Sequence, residues 1–383
     1  MGSKSRGLLA LVFVGLLGPV AVSAQVSVEK SASILIFPKV LYGELPGRAA
    51  LGSFDTIIQV SNTSNSVVYG HCFYVNAALT DPELPPGPDN PRLWQEVDFD
   101  IVLTRQQPTH WVVSEGRTTN PFDPNCGPTN TDCPGAGFDP GRIPPVPPGF
   151  EGELKCIEVD QSGAPISGNH LKGEATILSA AGTVNGVESH LVPGDASKYN
   201  AIGLLGFDTN DSDTVLCLGG GISADCPSGA EYQGCPEAVL ATHFAEEASN
   251  PALSDGASSV RTELTIVPCS QNFETQVPAV LRVQFLLFNE FEEPFSTSTT
   301  VECWGNFLLR DINPVFSVGS LGSRFVQTRM RPAASDPGFV ALLEELHFVP
   351  PPPAVSLVSR AAANLTVVGE RTRGDLVVVP GGP

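Results

Sequence analysis

The stretch Val97-Asp98-Phe99-Asp100-Ile101-Val102-Leu103 decides the fold class. Val97, Phe99, Ile101 and Leu103 fall on alternate positions, with Asp98, Asp100 and Val102 between them. A strand turns successive side chains to opposite faces, so this spacing predicts one buried and one wet face. Working outward, the β-branched runs 56–60 and 67–75 flank the turn-forming cluster Asn62-Thr63-Ser64-Asn65-Ser66 and predict a hairpin. Leu281, Val283, Phe285 and Leu287 begin a second hairpin, which turns from Asn289-Glu290 and returns over 299–307. The return strands carry the similar pairs Cys72-Phe73 and Cys303-Trp304, a pattern shared by diverged repeats and by unrelated strands. In Glu153-Leu154-Lys155-Cys156-Ile157-Glu158-Val159 the apolar phase slips by one after Cys156, which predicts a β-bulge.

Helical spacing is scarce. The segment near 236–248 has Pro236 at a first-turn position and an apolar stripe, and near 338–348 Phe339, Leu342, Leu343 and Leu346 repeat at helical intervals. Both predict short helices. Residues 81–91 and 350–353 are Pro-rich, and 118–150 is a long Pro/Gly/Asn loop holding Cys126 and Cys133. Gly, Asn and Ser accumulate over 180–198, which places a break between an N-terminal β domain, 25–190, and a C-terminal one, 191–383.

The run Asp55-Thr56-Ile57-Ile58-Gln59-Val60-Ser61-Asn62-Thr63-Ser64 resembles the strand-then-Asn-turn opening of Ig-like sandwiches in bacterial surface and secreted proteins. The resemblance covers one or two hairpins and implies a fold without an activity. The expected class is therefore mainly β: one or two antiparallel, Ig-like β-sandwich domains with long Pro/Gly loops and two short helices.

The first residues read as a secretory signal. Lys4 and Arg6 precede the apolar run 8–17, Pro19 stops it, and Val22-Ser23-Ala24 supplies the small residues of a cleavage site. The run is shorter than the ~20 apolar residues that span a bilayer, and no later segment is long enough. Cleavage after Ala24 predicts a secreted or periplasmic protein with no membrane span. The 383 residues carry a net charge of −20, which argues against nucleic acid, whose phosphates need Lys/Arg clusters. A protein or glycan partner is left open.

Nine cysteines in an exported chain predict disulfides, and the odd count leaves one thiol over. The expected pairs are Cys126–Cys133, Cys226–Cys235, Cys72–Cys156 and Cys269–Cys303, with Cys217 left as a buried thiol. Asp208, Asn210, Asp211 and Asp213 offer oxygen ligands for calcium, although Asp213 stands where an EF-hand needs Gly; a plain Asn/Asp turn accounts for the same residues. His71, His110, His170, His190, His243 and His347 form no H-E-x-x-H spacing, and no G-x-S-x-G elbow is present. Trp94, Trp111 and Trp304 offer stacking faces for sugars if exposed. Asn62, Asn210 and Asn364 open N-glycosylation patterns. The sequence thus reads as a non-enzymatic structural, surface-associated or adhesive β protein, with a carbohydrate- or calcium-binding module and a secreted hydrolase with a dispersed site as alternatives. N-terminal mass spectrometry of the exported protein is expected to begin at Gln25; a chain still carrying Met1 to Ala24 would remove the export reading.

Overall fold

The computed structural model describes residues 26–45, 52–84, 89–118, 142–180, 183–184, 187–188, 196–207, 213–250, 258–349 and 356–380. The chain is mainly β, with 59% strand against 4% helix, so sheet packing positions everything else. Pairing among the described strands is antiparallel except between Gln271–Asn272 and Asp375–Val378.

Strand Ile34–Glu44 organises the first half. Its first residues pair with Phe150–Val159, its register shifts between Phe37 and Val40, and its last two residues pair with Ser53–Asn62 in a different layer. The shift at Pro38-Lys39 interrupts the ladder as a bulge does; pairing with Phe150–Val159 resumes over Val40 to Tyr42, and the strand joins Ser53–Asn62 at Gly43 and Glu44. One layer holds Pro108–Val112, Ser53–Asn62, Leu171–Ala180 and Ala196–Asn200. The other holds Gln95–Leu103, Val68–Asn76, Phe150–Val159, the first part of Ile34–Glu44 and Ile202–Leu204. Phe54, Ile58 and Val60 from the first layer meet Leu35, Tyr74, Phe99 and Leu154 from the second in one core.

Two expectations fail here for physical reasons. Ser53–Asn62 and Val68–Asn76 lie in different layers and are not a hairpin. The turn cluster bridges the layers, and Asn62 Nδ2 donates to Ser66 O at 2.7 Å and Thr104 O at 3.0 Å to hold the crossing. No bulge follows Cys156, because Phe150–Val159 pairs in unbroken register with Val68–Asn76. Its phase slip records burial of both faces: Leu154 and Cys156 enter the first core, Ile157 and Val159 a second.

In the second half, Pro294–Glu302, Val280–Asn289, Phe325–Pro332, Pro236–Phe244 and Thr366–Glu370 form a five-stranded sheet. Gly305–Leu308, Ser259–Pro268, Phe339–Val349 and Ser356–Asn364 form a four-stranded one. Leu281, Val283, Phe285 and Met330 face Leu264, Ile266, Ala341 and Leu343 across a third core. The expected helices near 236–248 and 338–348 are the strands Pro236–Phe244 and Phe339–Val349. Pro236 opens its strand, a position where no ladder donor is lost. Phe339–Val349 is buried on both sides, Leu343 toward the third core and Leu342, Leu346 and Phe348 toward the first, so its apolar run mimics helical spacing. The two short helices lie instead at Leu309–Ile312 and Val318–Leu321. Strands Ala196–Asn200 and Ile202–Leu204 pair with Leu171–Ala180 and Ile34–Glu44 of the first half.

The halves meet at the corner in Ile34–Glu44. Trp304, fully buried, donates its indole N–H to Pro38 O at 2.8 Å. Lys39, also fully buried, reaches Glu263 Oε2 at 2.5 Å and Glu344 Oε2 at 2.7 Å. Glu344 Oε1 accepts from Arg360 Nη2 at 2.6 Å and from Ser197 Oγ. Two cations and two carboxylates thus neutralise one another out of water. Lys39→Met takes the ammonium from both carboxylates, and removing one partner of a buried ion pair costs about 3–5 kcal/mol. Chemical denaturation should show a loss of that size; a change under ~1 kcal/mol, as at exposed pairs, would mean that the charges are satisfied without Lys39.

Candidate functional site

The outer face of the five-stranded sheet is open to solvent along strand Val280–Asn289. Strand Val280–Asn289 alternates strictly between exposed and buried residues. Its inward side chains fill the third core, which turns Val280, Arg282, Gln284, Leu286 and Phe288 to solvent. Register sets Leu286 between Ser296 and Arg329, Gln284 between Ser298 and Arg331, and Phe288 beside Gln327. Leu286, Phe288 and Phe325 stay 38%, 37% and 38% exposed, so three large apolar side chains share one open face. Phe325 packs on Phe244, ring centroids 4.5 Å apart, and Phe291 projects from the adjoining turn.

Two shallow depressions mark this face. One, of about 650 Å³, is lined by Gln284, Leu286, Ser296, Ser298, Arg329 and Arg331. The other, of about 600 Å³, lies against Phe288, Phe325 and Gln327. Arg331 pairs with Glu237 at 2.9 Å and Arg282 with Asp336 at 3.1 Å. Sequence reasoning took the inward residues of this strand and passed over the outward ones. The available signal was Phe285-Leu286-Leu287-Phe288, an apolar quartet where alternation calls for polar residues at 286 and 288.

The residues singled out from sequence fall elsewhere. Asp208, Asn210 and Asp211 lie outside the described residues; Asp213 is exposed and its Oδ1 accepts from Val215 N at 2.8 Å, as in a turn. Trp94, Trp111 and Trp304 are all buried and present no face to a sugar. Trp111 donates to Tyr74 Oη at 2.5 Å. Asn62 is buried in its crossing, and Asn364 exchanges hydrogen bonds with Asn200 at 2.8 and 2.9 Å.

Cysteine pairing departs from expectation. Cys72 and Cys156 are bonded, across the directly opposed strands Val68–Asn76 and Phe150–Val159. Cys226 pairs with Cys217 and not Cys235, and Cys235 pairs with Cys269 and not Cys303. Cys303 is the buried free thiol, the place expected of Cys217, and burial pushes it up to about 12. Cys126 and Cys133 lie outside the described residues. Asp375 sits against the Cys235–Cys269 pair, but both sulfurs are spent on each other and offer no thiolate to a metal. The three disulfides among the described residues suit folding in an oxidising environment. Among the described residues no helix is long and apolar enough to cross a membrane.

The histidines take structural contacts where described. His243 is buried, with Nε2 at 2.9 Å from Thr328 Oγ1 and Nδ1 at 2.7 Å from Phe244 O, and burial lowers its basicity. His170 Nδ1 meets Glu158 at 2.7 Å, His71 Nε2 meets Asp98 at 3.1 Å, and His347 Nδ1 meets Asn250 at 3.0 Å. His110 is exposed, and His190 lies outside the described residues.

Neither a protein-family model nor a curated protein matches this chain. Among solved structures it is similar to a secreted protein of Parabacteroides distasonis, so described in its own name only provisionally, at 12% identity over 89% of this chain and 92% of that one, with a TM-score of 0.16. It is similar to the cowpea mosaic virus top component at 9% identity, covering 95% and 97% of the two chains, with a TM-score of 0.17. Broad bean stain virus gives 10% identity, 96% and 100% coverage and a TM-score of 0.12. Superpositions at this level carry nothing about what the chain does.

Burial also pushes the Glu246 carboxyl up to about 7, only partly offset by the Thr262 N–H and by Arg310 and Arg261. A carboxyl whose folded value is raised contributes stability that is intact below the usual carboxylate range and lost as pH rises through the folded value. Glu246→Gln is therefore expected to flatten the decline in stability between about pH 4.5 and 7, a difference of roughly 2–3 kcal/mol. Denaturation midpoints at pH 5 and pH 8 measure it; parallel shifts of both proteins would show that Glu246 does not titrate in that range.

Proposed function

We propose that this chain is an exported, non-enzymatic β protein that acts at a surface, and that the outer face of its five-stranded sheet is the part that binds. The observation that carries the reading is the exposure of Leu286, Phe288 and Phe325 on one sheet face beside Arg329 and Arg331. Monomeric soluble proteins rarely keep contiguous apolar area in water without a use for it. A small ligand is usually held in an enclosed cavity, whereas apolar residues edged by arginine on an open sheet suit a macromolecular partner. The basic start, apolar run and Val22-Ser23-Ala24 support export and cleavage before Gln25, and the disulfides suit the same compartment.

Leu286 and Phe288 face away from the core, so the double substitution Leu286→Asp, Phe288→Ser should leave the fold intact. It is expected to shift exported protein from the cell-associated fraction into the medium, with an unchanged melting temperature. Undiminished association by a folded double variant would overturn the reading.

A further inference from the structure

Lys39 and Lys155 are both fully buried, yet their surroundings differ in kind. Lys39 sits between two carboxylates. The Lys155 amine meets a single side-chain acceptor, Gln271 Oε1, and the face of Phe273, 5.4 Å from the ring centroid. A protonated lysine has three N–H groups to satisfy, and this site provides for fewer. The Gln271 amide is held from its other side by Glu153, whose Oε1 accepts from Gln271 Nε2. Glu153 Oε2 is buried without a hydrogen-bond partner, which suits a neutral carboxylic acid better than a carboxylate.

The fold builds this arrangement. Glu153 and Lys155 are two apart on Phe150–Val159 and so share the face turned to the second core. Their cross-strand neighbours there are Val75, Phe73 and Ile36. Gln271 comes from the second half, at the start of Gln271–Asn272, and the next residue, Phe273, stacks on Phe73 with ring centroids 4.5 Å apart and planes within 5°. The three polar side chains lie 0%, 0% and 3% exposed, under aromatic rings that keep water out.

The geometry points to a covalent amide cross-link between Lys155 and Gln271, formed within the folded chain with Glu153 carrying the proton. The Lys155 Nζ lone pair attacks Gln271 Cδ and a C–N bond forms. Glu153 gives its proton to Gln271 Nε2 and recovers one from Lys155 Nζ. The Cδ–Nε2 bond breaks, its electron pair leaves with nitrogen, and ammonia departs. One amide replaces another, nothing is oxidised or reduced, and no co-reactant is needed. Burial lowers the basicity of Lys155 and raises the carboxyl of Glu153, which favours the neutral nucleophile and the neutral acid that the step requires. Excluding water keeps hydrolysis from competing. The bond would tie strands from the two halves across a sequence separation of 116, independently of what the outer sheet face binds.

Peptide mapping of the reduced, folded wild-type protein tests this directly. It is preferable to intact mass because an N-terminal Gln25 can also shed ammonia. The Lys155 and Gln271 peptides should appear as one linked species, lighter than their sum by one ammonia. The reduced, denatured wild-type chain should also migrate ahead of Lys155→Met in a gel, since the link closes a loop. In Glu153→Gln, shown to be folded by near-ultraviolet circular dichroism, the two peptides should separate. Unlinked peptides from wild type overturn the proposal, as does Gln271 hydrolysed to glutamate beside a free Lys155. A link that persists in folded Glu153→Gln overturns the role given to that carboxyl.

Discussion

The corner at Pro38-Lys39 is the constraint on which the rest of the molecule depends. The ladder between Ile34–Glu44 and Phe150–Val159 breaks between Phe37 and Val40 and resumes at Val40. The polar groups at the break are then buried and need partners. The first half contributes one: Tyr199 Oη donates to Lys39 O at 2.5 Å. The others come from the second half, through the indole of Trp304 and the carboxylates of Glu263 and Glu344. Parting the halves would strip Lys39 of both its carboxylates and Glu263 of its ammonium, while Glu344 would keep Arg360. A buried ion pair adds little net stability over a well-packed apolar substitute, but a misplaced one costs several kcal/mol. The network therefore fixes how the halves sit more than how strongly they hold.

That docking leaves two sheets covered on both faces, and this explains which parts of the fold were legible in the sequence. Strands with one wet face announced themselves: Val280–Asn289 alternates over its whole length, and Phe99, Ile101 and Leu103 are buried as their spacing requires. Even there Val97 is exposed, because it lies toward the open end of its strand. Strands covered on both sides lose the two-residue signature. Phe150–Val159 then looks like a slipped strand and Phe339–Val349 like a helix. The turn cluster after Asn62 could not say whether the chain folds back in its own layer or crosses to the next, since both use the same residues. Spacing along the chain could not assign Cys235 to Cys269 either, because that pair is brought together only when separate strands dock. The exposed apolar face was visible only as an excess, apolar residues at 286 and 288 where the strand pattern had already filled its core side.

Two lysines with the same burial have opposite chemistry for a reason that composition does not carry. Around Lys39, two carboxylates and the nearby guanidinium of Arg360 set two basic groups against two acidic ones. Around Lys155 the direct contacts are an amide and an aromatic ring, and burial outweighs the attraction of Glu153 and lowers its basicity. The first is a dock and the second a nucleophile's environment. Both join the same two halves, one by charge at the corner of Ile34–Glu44 and one through the facing core.

The carboxyls divide the same way, with opposite consequences for pH. Burial alone would push Glu344 up, but Lys39 and Arg360 outweigh it and hold the carboxyl well below the usual range. Its contribution is present above that range and is lost as pH falls through the folded value. Glu96, raised by burial and by neighbouring Asp98, and Glu246, raised by burial, both reach about 7, and their contribution is lost as pH rises. Acid loosens the join between the halves, whereas base strains the third core and the edge strand Gln95–Leu103. The two effects act on different parts of the molecule.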